Sequence, residues 1–473
     1  MTVPTDVVVV GGGITGMVAA RRLAQAGAGV TLLERSSRLG GLVTTDHDDG
    51  FVIEAGADSF VAGKGPVLAL ARDLGLDRQV VSSRTEHRGS YVWWDGDLFP
   101  LPGGLLLIVP SRIRSLLGSP LLSWAGRARA MADLVLPRSD NVEDESLESF
   151  VTRRLGREML DRIAEPLIAG IHAAERDTMS LRASFPRLLE MEREHRSLIL
   201  AARSAASHPV PASGLSHFAS FADGMGQLVT AVAADSRGVE TRTGVAVTGV
   251  DEAGSRRYRV SLDDGSALVA DGVVLATPAP VASGLLADLV PEAAATLSGI
   301  HQVPSISVTL AYEAEDLPPL AGSGFVVPSV QGRTVSGVSF LSQKWDNRVP
   351  GPRFMLLRAF VDRNHGRGLS RADEDLLTKV VLDELKIMVG IDATPVKSWV
   401  RVFREGLHQY TMGHLDRVAA AEGQMKAKRG LALAGAAFHG IGLNECIDSG
   451  HRAAELVLHD LAIPVGVTVG ETH

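Results

Sequence analysis

The chain has 473 residues, too many for one hydrophobic core, so two or three lobes are expected. Apolar residues make up 45%, and a net charge of −8 with a pI near 6.0 argues against nucleic acid as the main partner. A single cysteine, Cys446, excludes an internal disulfide and a cysteine-based metal site, and suits a reducing cytosol.

Asp6-Val7-Val8-Val9-Val10 is an apolar, β-branched run that predicts a buried parallel strand. It begins almost at once, with no charged or apolar leader before it, so a cleaved signal is not expected. Gly11-Gly12-Gly13-Ile14-Thr15-Gly16 follows, and Met17 to Ala26 suits a helix. This is G-x-G-x-x-G in the setting of strand, tight turn and helix. One glycine makes the turn, one lets backbone N–H groups approach a pyrophosphate, and one lets helix and strand pack closely. The helix start offers unpaired N–H groups and a positive dipole end to phosphate. A second strand, Gly29 to Glu34, ends on an acid 18 residues past Gly16, placed to accept both hydroxyl hydrogens of an adenosine ribose. Arg35 next to it raises a 2′-phosphate as a minor alternative, which Glu34 disfavours. Gly40-Gly41, followed by Leu42, predicts a second close approach to the same ligand. Phe51 to Phe60 reads as a short strand entering a turn at Gly56-Ala57-Asp58-Ser59.

No stretch supplies the ~20 apolar residues of a spanning helix; residues 98–110 come nearest and are broken by Pro100 and Pro102. From about 100 to 210 the pattern turns helical. Between Leu101 and Arg138, aliphatics interleave with Arg112, Arg114, Arg127, Arg129 and Arg138. Such a segment is either an ordinary core-facing helix with solvated arginines or one lying on a membrane surface. Ser146 to Leu155 and Arg157 to Ile171 predict two more helices, the first capped by Asp144 or Ser146. Residues 216–290 return to α/β character, ending on the buried strand Asp271 to Ala276. Residues 300–410 alternate strands and turns around one helix, roughly Arg371 to Val389. Leu431 to Gly435 is a last small-residue strand, followed by a turn through Gly440-Ile441-Gly442 and a helix from Leu443 to Leu458.

Nucleotide-fold segments thus lie at the start, middle and end of the chain. That layout suits a long, buried dinucleotide such as FAD, with the last helix start aimed at the isoalloxazine ring. The combination of Gly11–Gly16, Glu34, Gly40-Gly41, Glu54 to Phe60 and Gly440 to Gly450 resembles the flavoprotein porphyrinogen oxidases. So does Glu165-Pro166-Leu167-Ile168-Ala169-Gly170-Ile171-His172-Ala173-Ala174, followed by Ser180 to Pro186; amine oxidases and carotene desaturases share the ends but not this segment. The resemblance covers essentially the whole chain.

It implies an α/β architecture: an FAD-binding Rossmann-like fold of the two-dinucleotide-binding, amine-oxidase-like type, with a mixed-sheet substrate domain and a helical domain. The FAD-binding domain would comprise residues 1–60, 216–290 and 411–473, the substrate domain 61–99 and 291–410, and the helical domain 100–215. The implied activity is six-electron oxidation of a porphyrinogen in haem biosynthesis, with molecular oxygen as acceptor and hydrogen peroxide formed. Coproporphyrinogen III, the substrate of the branch found in monoderm bacteria, is favoured; protoporphyrinogen IX is the alternative. Carried over, the FAD contacts fall on Gly11, Gly12, Gly13, Ile14, Thr15 and Gly16 at the pyrophosphate, and on Glu34 and Arg35 at the ribose. Gly41, Leu42, Gly56, Ala57, Asp58 and Ser59 fall on the phosphate and flavin side, Val247 at the adenine, Trp399 near the flavin, and Gly440, Ile441 and Gly442 at the ring. Gly170, Ile171 and His172 are candidate pocket residues; for His172 a plain helix-end position stays open.

Two departures stand out. Many relatives carry Lys or Arg where this chain has Leu42, and Pro-Asp where it has Asn444-Glu445. The reaction demands positioning more than acid–base help, and no catalytic residue is assigned. No metal is expected. A ferrochelatase is the candidate receiver of product, membrane contact would be peripheral at most, and the expected location is cytoplasmic. Rival readings are a flavin oxidase acting on amines or polyenes, and a non-catalytic tetrapyrrole carrier.

Overall fold

A computed structural model describes residues 5–463 except 64, 85, 87–88, 140–142, 173–174, 208–217, 255–256, 363–364 and 367. Its centre is a five-stranded parallel sheet in the order Val239–Thr243, Gly29–Glu34, Asp6–Val10, Gly272–Leu275, Leu431–Leu433. Val7 and Val9 pack under the helices Ile14–Gln25 and Leu443–Asp460, while Val8 and Val10 face a second core that includes Val260, Leu285 and Leu297. Both faces are covered, which is why the strand reads as an unbroken apolar run. Asp6–Val10 lies where the strand order changes direction, and the crevice beyond its carboxyl end is the usual ligand position in such sheets.

A second, seven-stranded mixed sheet runs Lys397–His408, Gln302–Glu313, Phe354–Val361, Val335–Phe340, Gly324–Val326, Tyr91–Trp94, Asp97–Pro100. Only Gly324–Val326 and Tyr91–Trp94 pair in parallel. Helix Glu374–Val389 buries Leu377, Val381 and Leu385 against it. The hairpin Thr45–Asp48/Phe51–Glu54 bridges the two sheets: Trp345 and Leu356 cover Phe51 and Ile53.

The expectation of helix between Leu101 and Arg138 needs correction. A two-residue strand pair, Leu105–Leu106 with Val109–Pro110, comes first, then short helices at Ile113–Leu117 and Trp124–Met131. Pro110, Gly118 and Pro120 interrupt what the aliphatic spacing suggested. Ser146, not Asp144, caps helix Leu147–Arg154 through Ser149 N–H at 3.2 Å, and Asp144 instead accepts from Ser180 Oγ and Gly413 N–H. The stretch 157–172 is one helical rod with a π-type turn at Leu160–Ala164 before Glu165–His172. Arg154, Asp133 and Glu192 form a buried ion cluster that pins these helices together. Among the described residues no helix is long and apolar enough to cross a membrane.

Candidate active site

Two glycine-led helix starts define the groove. Gly13 precedes helix Ile14–Gln25 and Gly442 precedes helix Leu443–Asp460; both are extended, and neither helix is capped by a side chain. Their first-turn N–H groups are therefore free for an outside acceptor. Gly450 lies on the first helix so closely that a Cβ there would stand 2.5 Å from Thr15 O, and Cys446 also meets Thr15.

The first turn is sterically exact. Gly11 has φ +107°, and a Cβ on it would meet Ala276 O at 2.4 Å; a Cβ on Gly16 would meet Gly11 O at 1.9 Å. A Cβ on Gly13 would meet nothing within 4 Å, so its open side is the one left to a ligand. Glu34 accepts from Gly12 N–H at 2.6 Å and Ser36 N–H at 2.8 Å, leaving further lone pairs on both oxygens for hydroxyl donors. Arg35 is exposed and meets Glu405 at 3.2 Å. Val245 N–H donates to Glu34 O, which brings Val247, two residues on, toward this end.

The second glycine pair lies on the first turn. Gly40 N–H donates to Gly12 O at 2.8 Å, and a Cβ on Gly41 would sit 3.2 Å from Gly13 Cα. Leu42 is exposed, and Arg38, four residues back on the same loop and not singled out in the sequence, donates from its guanidinium to Gly41 O at 3.1 Å and to Thr44 Oγ1. A Cβ on Gly56 would strike Leu42 O at 1.9 Å, so the turn 55–59 is pressed against the glycine pair.

Beneath that turn lies a largely buried polar cluster. Asp58 accepts from Lys344 Nζ at 2.8 Å, Trp345 Nε1 at 3.3 Å and Ser59 Oγ at 2.8 Å. Burial pushes its carboxyl up, but Lys344, Ser59 and Arg358 outweigh this and hold it well below the usual carboxylate range. Glu54, buried, takes Met225 N–H and Thr45 Oγ1; burial raises its carboxyl despite Arg348 3.8 Å away. Trp399 donates to Asp48 Oδ2 at 3.0 Å and leans on Phe51 at 5.4 Å between ring centroids. It stitches the hairpin to the second sheet.

At the far end, Gly440 has φ +128° and its N–H donates to the Tyr410 hydroxyl at 2.7 Å, which itself donates to Ala436 O at 2.7 Å. Tyr410 stacks on His414 at 3.8 Å, and His414 Nε2 donates to Phe438 O at 3.0 Å. Burial keeps Tyr410 protonated and lowers His414 to about 4, so the imidazole is neutral. His439 pairs with Glu422 at the exposed surface, 2.7 Å away, and Cys446 is a packed thiol that burial raises to about 11. Tyr410 also joins this turn to the middle of the chain: Ser180 N–H donates to Tyr410 O at 2.8 Å. Gly170, Ile171 and His172 form the last turn of helix Glu165–His172; their side chains lie outside the described residues. That helix packs on strands Gly324–Val326 and Val335–Phe340, and Glu165 accepts from Ser329 N–H at 3.2 Å.

Fold and site together define a flavin oxidoreductase. Residues 14–458 match the flavin containing amine oxidoreductase family, and the chain belongs to it. Coproporphyrinogen III oxidase of Bacillus subtilis is 32% identical, over 94% of this chain and 96% of that one. Protoporphyrinogen oxidase of Bos taurus is 34% identical, over 96% and 98%. The crystal structure of an Exiguobacterium protein provisionally assigned as a protoporphyrinogen oxidase superposes with a TM-score of 0.86 at 29% identity, covering 98% of this chain and all of that one. The cofactor expected from the sequence, FAD, and the resemblance to porphyrinogen oxidases are thereby borne out.

Proposed function

We propose that this chain oxidises coproporphyrinogen III to coproporphyrin III, with three molecules of oxygen reduced to three of hydrogen peroxide. The observation that carries the reading is whole-length likeness to a bacterial coproporphyrinogen III oxidase, through the segment 165–186 as well as both ends. Bound FAD would supply hydride acceptance and the electron path to oxygen.

The residues of this chain do the holding. Gly11 to Gly16 take the pyrophosphate on the first helix start, Glu34 with Arg35 the ribose, and Val247 the adenine through its backbone. Leu42 and Gly56 to Ser59 line the phosphate and flavin side, with Gly41 beneath, and Gly440 to Gly442 take the ring; Trp399 braces the hairpin beside it. Gly170, Ile171 and His172 line the tetrapyrrole pocket at the seam of the helices and the second sheet. The nucleotide, mixed-sheet and helical segments act as three domains with the boundaries given above. Trp124, 80% exposed with the Arg127 guanidinium 4.6 Å from its ring, would give the helical region a point of peripheral contact with an anionic membrane, and product would pass to a ferrochelatase.

Protoporphyrinogen IX is the second reading, favoured by the 34% identity to the bovine enzyme. Both porphyrinogens offered to flavin-loaded protein in air, with porphyrin fluorescence followed, decide between them. Faster turnover of coproporphyrinogen III is expected; faster turnover of protoporphyrinogen IX overturns the choice, and protein that binds no flavin overturns the whole reading.

A further inference from the structure

Arg358 stands in the middle of strand Phe354–Val361 and is 4% exposed. Its guanidinium donates to Gly56 O at 2.6 Å, Ala55 O at 2.8 Å and Ser307 Oγ at 3.1 Å, and its Nε–H has no partner. Among the described residues no carboxylate lies within 4.0 Å of it. Asp58 is engaged by Lys344, and Glu54 faces Arg348. Three cations therefore share two acids, and Arg358 is the one left with neutral acceptors alone. A buried cation with no direct ion partner is costly; the longer-range charges of Asp58 and Glu54 and the Phe360 ring, 4.8 Å away, offset part of that cost, and an anion bound at the turn would offset more.

The geometry of the turn says where such an anion would lie. In a trans peptide C=O and N–H point opposite ways. With the carbonyls of Ala55 and Gly56 both turned onto Arg358, the N–H groups of Gly56 and Ala57 point away from it. Neither has a partner among the described residues, and Ala57 is exposed. The turn thus presents two free donors on one side, with a buried positive charge directly behind them.

We propose that Arg358 is a positioning residue for the flavin: it fixes the turn 55–57 with both donors outward and holds a buried positive charge that stabilises the negative charge a hydride leaves on the ring. This rests on the proposed placement of FAD against Gly56 to Ser59. Preorganised donors and charges of this kind act strongly where water is excluded. Desolvation disfavours the charged guanidinium, and an anion at the turn would favour it.

The test compares the flavin-loaded parent, R358Q and R358K, each equilibrated anaerobically with a redox dye of matched potential. The ratio of reduced to oxidised flavin at fixed dye poise is expected to fall at least tenfold in R358Q and to stay within threefold of the parent in R358K. Equal ratios in parent and R358Q overturn the proposal, and so does an equal fall in both variants. Where R358Q cannot keep flavin and R358K can, the charge is required and the proposal stands; where both lose it, the residue serves packing alone and the proposal fails. A parent that binds no flavin is a different result, the failure of the cofactor placement itself.

Discussion

The two glycine turns that bound the cofactor groove resemble each other in composition, yet their glycines are held by different things. At residues 11–16 a Cβ would run into backbone: Gly11 O from Gly16 at 1.9 Å, Ala276 O from Gly11 at 2.4 Å. At residues 440–442 it would meet the side chain of Glu445: from Gly440 its Cβ at 2.6 Å, which is fixed to the backbone, but from Gly442 only the exposed carboxylate end at 2.2 Å, which can swing aside. Gly442 also has φ −71°, open to any residue. The first turn needs its glycines to fold; in the second, packing does not require glycine at 442, and the proposed seat of the flavin ring does. A motif that is a packing requirement and one that is a ligand requirement can therefore look alike in sequence and be separated by what a single added carbon meets.

The largest effect tests the first half of that contrast. G16A forces a methyl against the backbone of its own turn, where no rotamer change relieves it. A loss of at least about 3 kcal/mol is expected. A urea unfolding midpoint close to the parent's would show that the turn can give way, and the comparison would break.

Next comes mild acid, read through the histidines that lie near the second turn. His408 and His414 are both lowered to about 4, chiefly by burial, against an ordinary value of 6.5. The unfolded chain takes up these protons near pH 6.5 and the folded chain only near pH 4. The contribution of these two groups is therefore full above about 6.5, falls as pH drops toward 4, and levels below it, by on the order of 3 kcal/mol for each group. H414Q should flatten part of that decline in a stability–pH series; an unchanged slope would place the acid sensitivity elsewhere. Y410F is smaller again. It leaves Gly440 N–H and Ala436 O without their shared hydroxyl, at a cost of about 1–3 kcal/mol, readable as a lower thermal midpoint.

These supports explain why one turn was legible in sequence and the other only in part. The jobs of Gly11–Gly16 are done within six residues and against adjacent strands, so the hexapeptide with Glu34 states nearly all of it. The supports of Gly440 lie 30 residues back at Tyr410 and 24 back from Phe438 at His414, and nothing in local spacing announces them. The cluster under the turn 55–59 is more distant still: Lys344 reaches Asp58 across 286 residues, and Arg358 reaches Gly56 across 302. Arginine abundance hid Arg348 and Arg358, because nothing in the sequence marks the four buried arginines among the described residues off from the others. Strands were readable where both faces are covered, as at Asp6–Val10. Residues 101–138 were misread because aliphatic spacing was weighed above Pro110, Gly118 and Pro120.

The smallest expected change in stability is the most informative about the second turn. G442A adds a methyl at an extended helix-entry position. Alanine is a poorer cap than glycine, but it also narrows the unfolded ensemble, and the two effects nearly cancel, to within about 0.5 kcal/mol. The same methyl stands on the helix start proposed to seat the flavin ring. Unfolding should therefore be close to the parent's while the dissociation constant for FAD rises at least tenfold, measured by quenching of flavin fluorescence on titrating apoprotein. If FAD binds as tightly as before, the ring does not rest on Gly442, and the two turns differ in packing without differing in purpose. If stability falls with affinity, Glu445 is held more firmly than its exposure suggests, and the second turn is then a packing motif like the first.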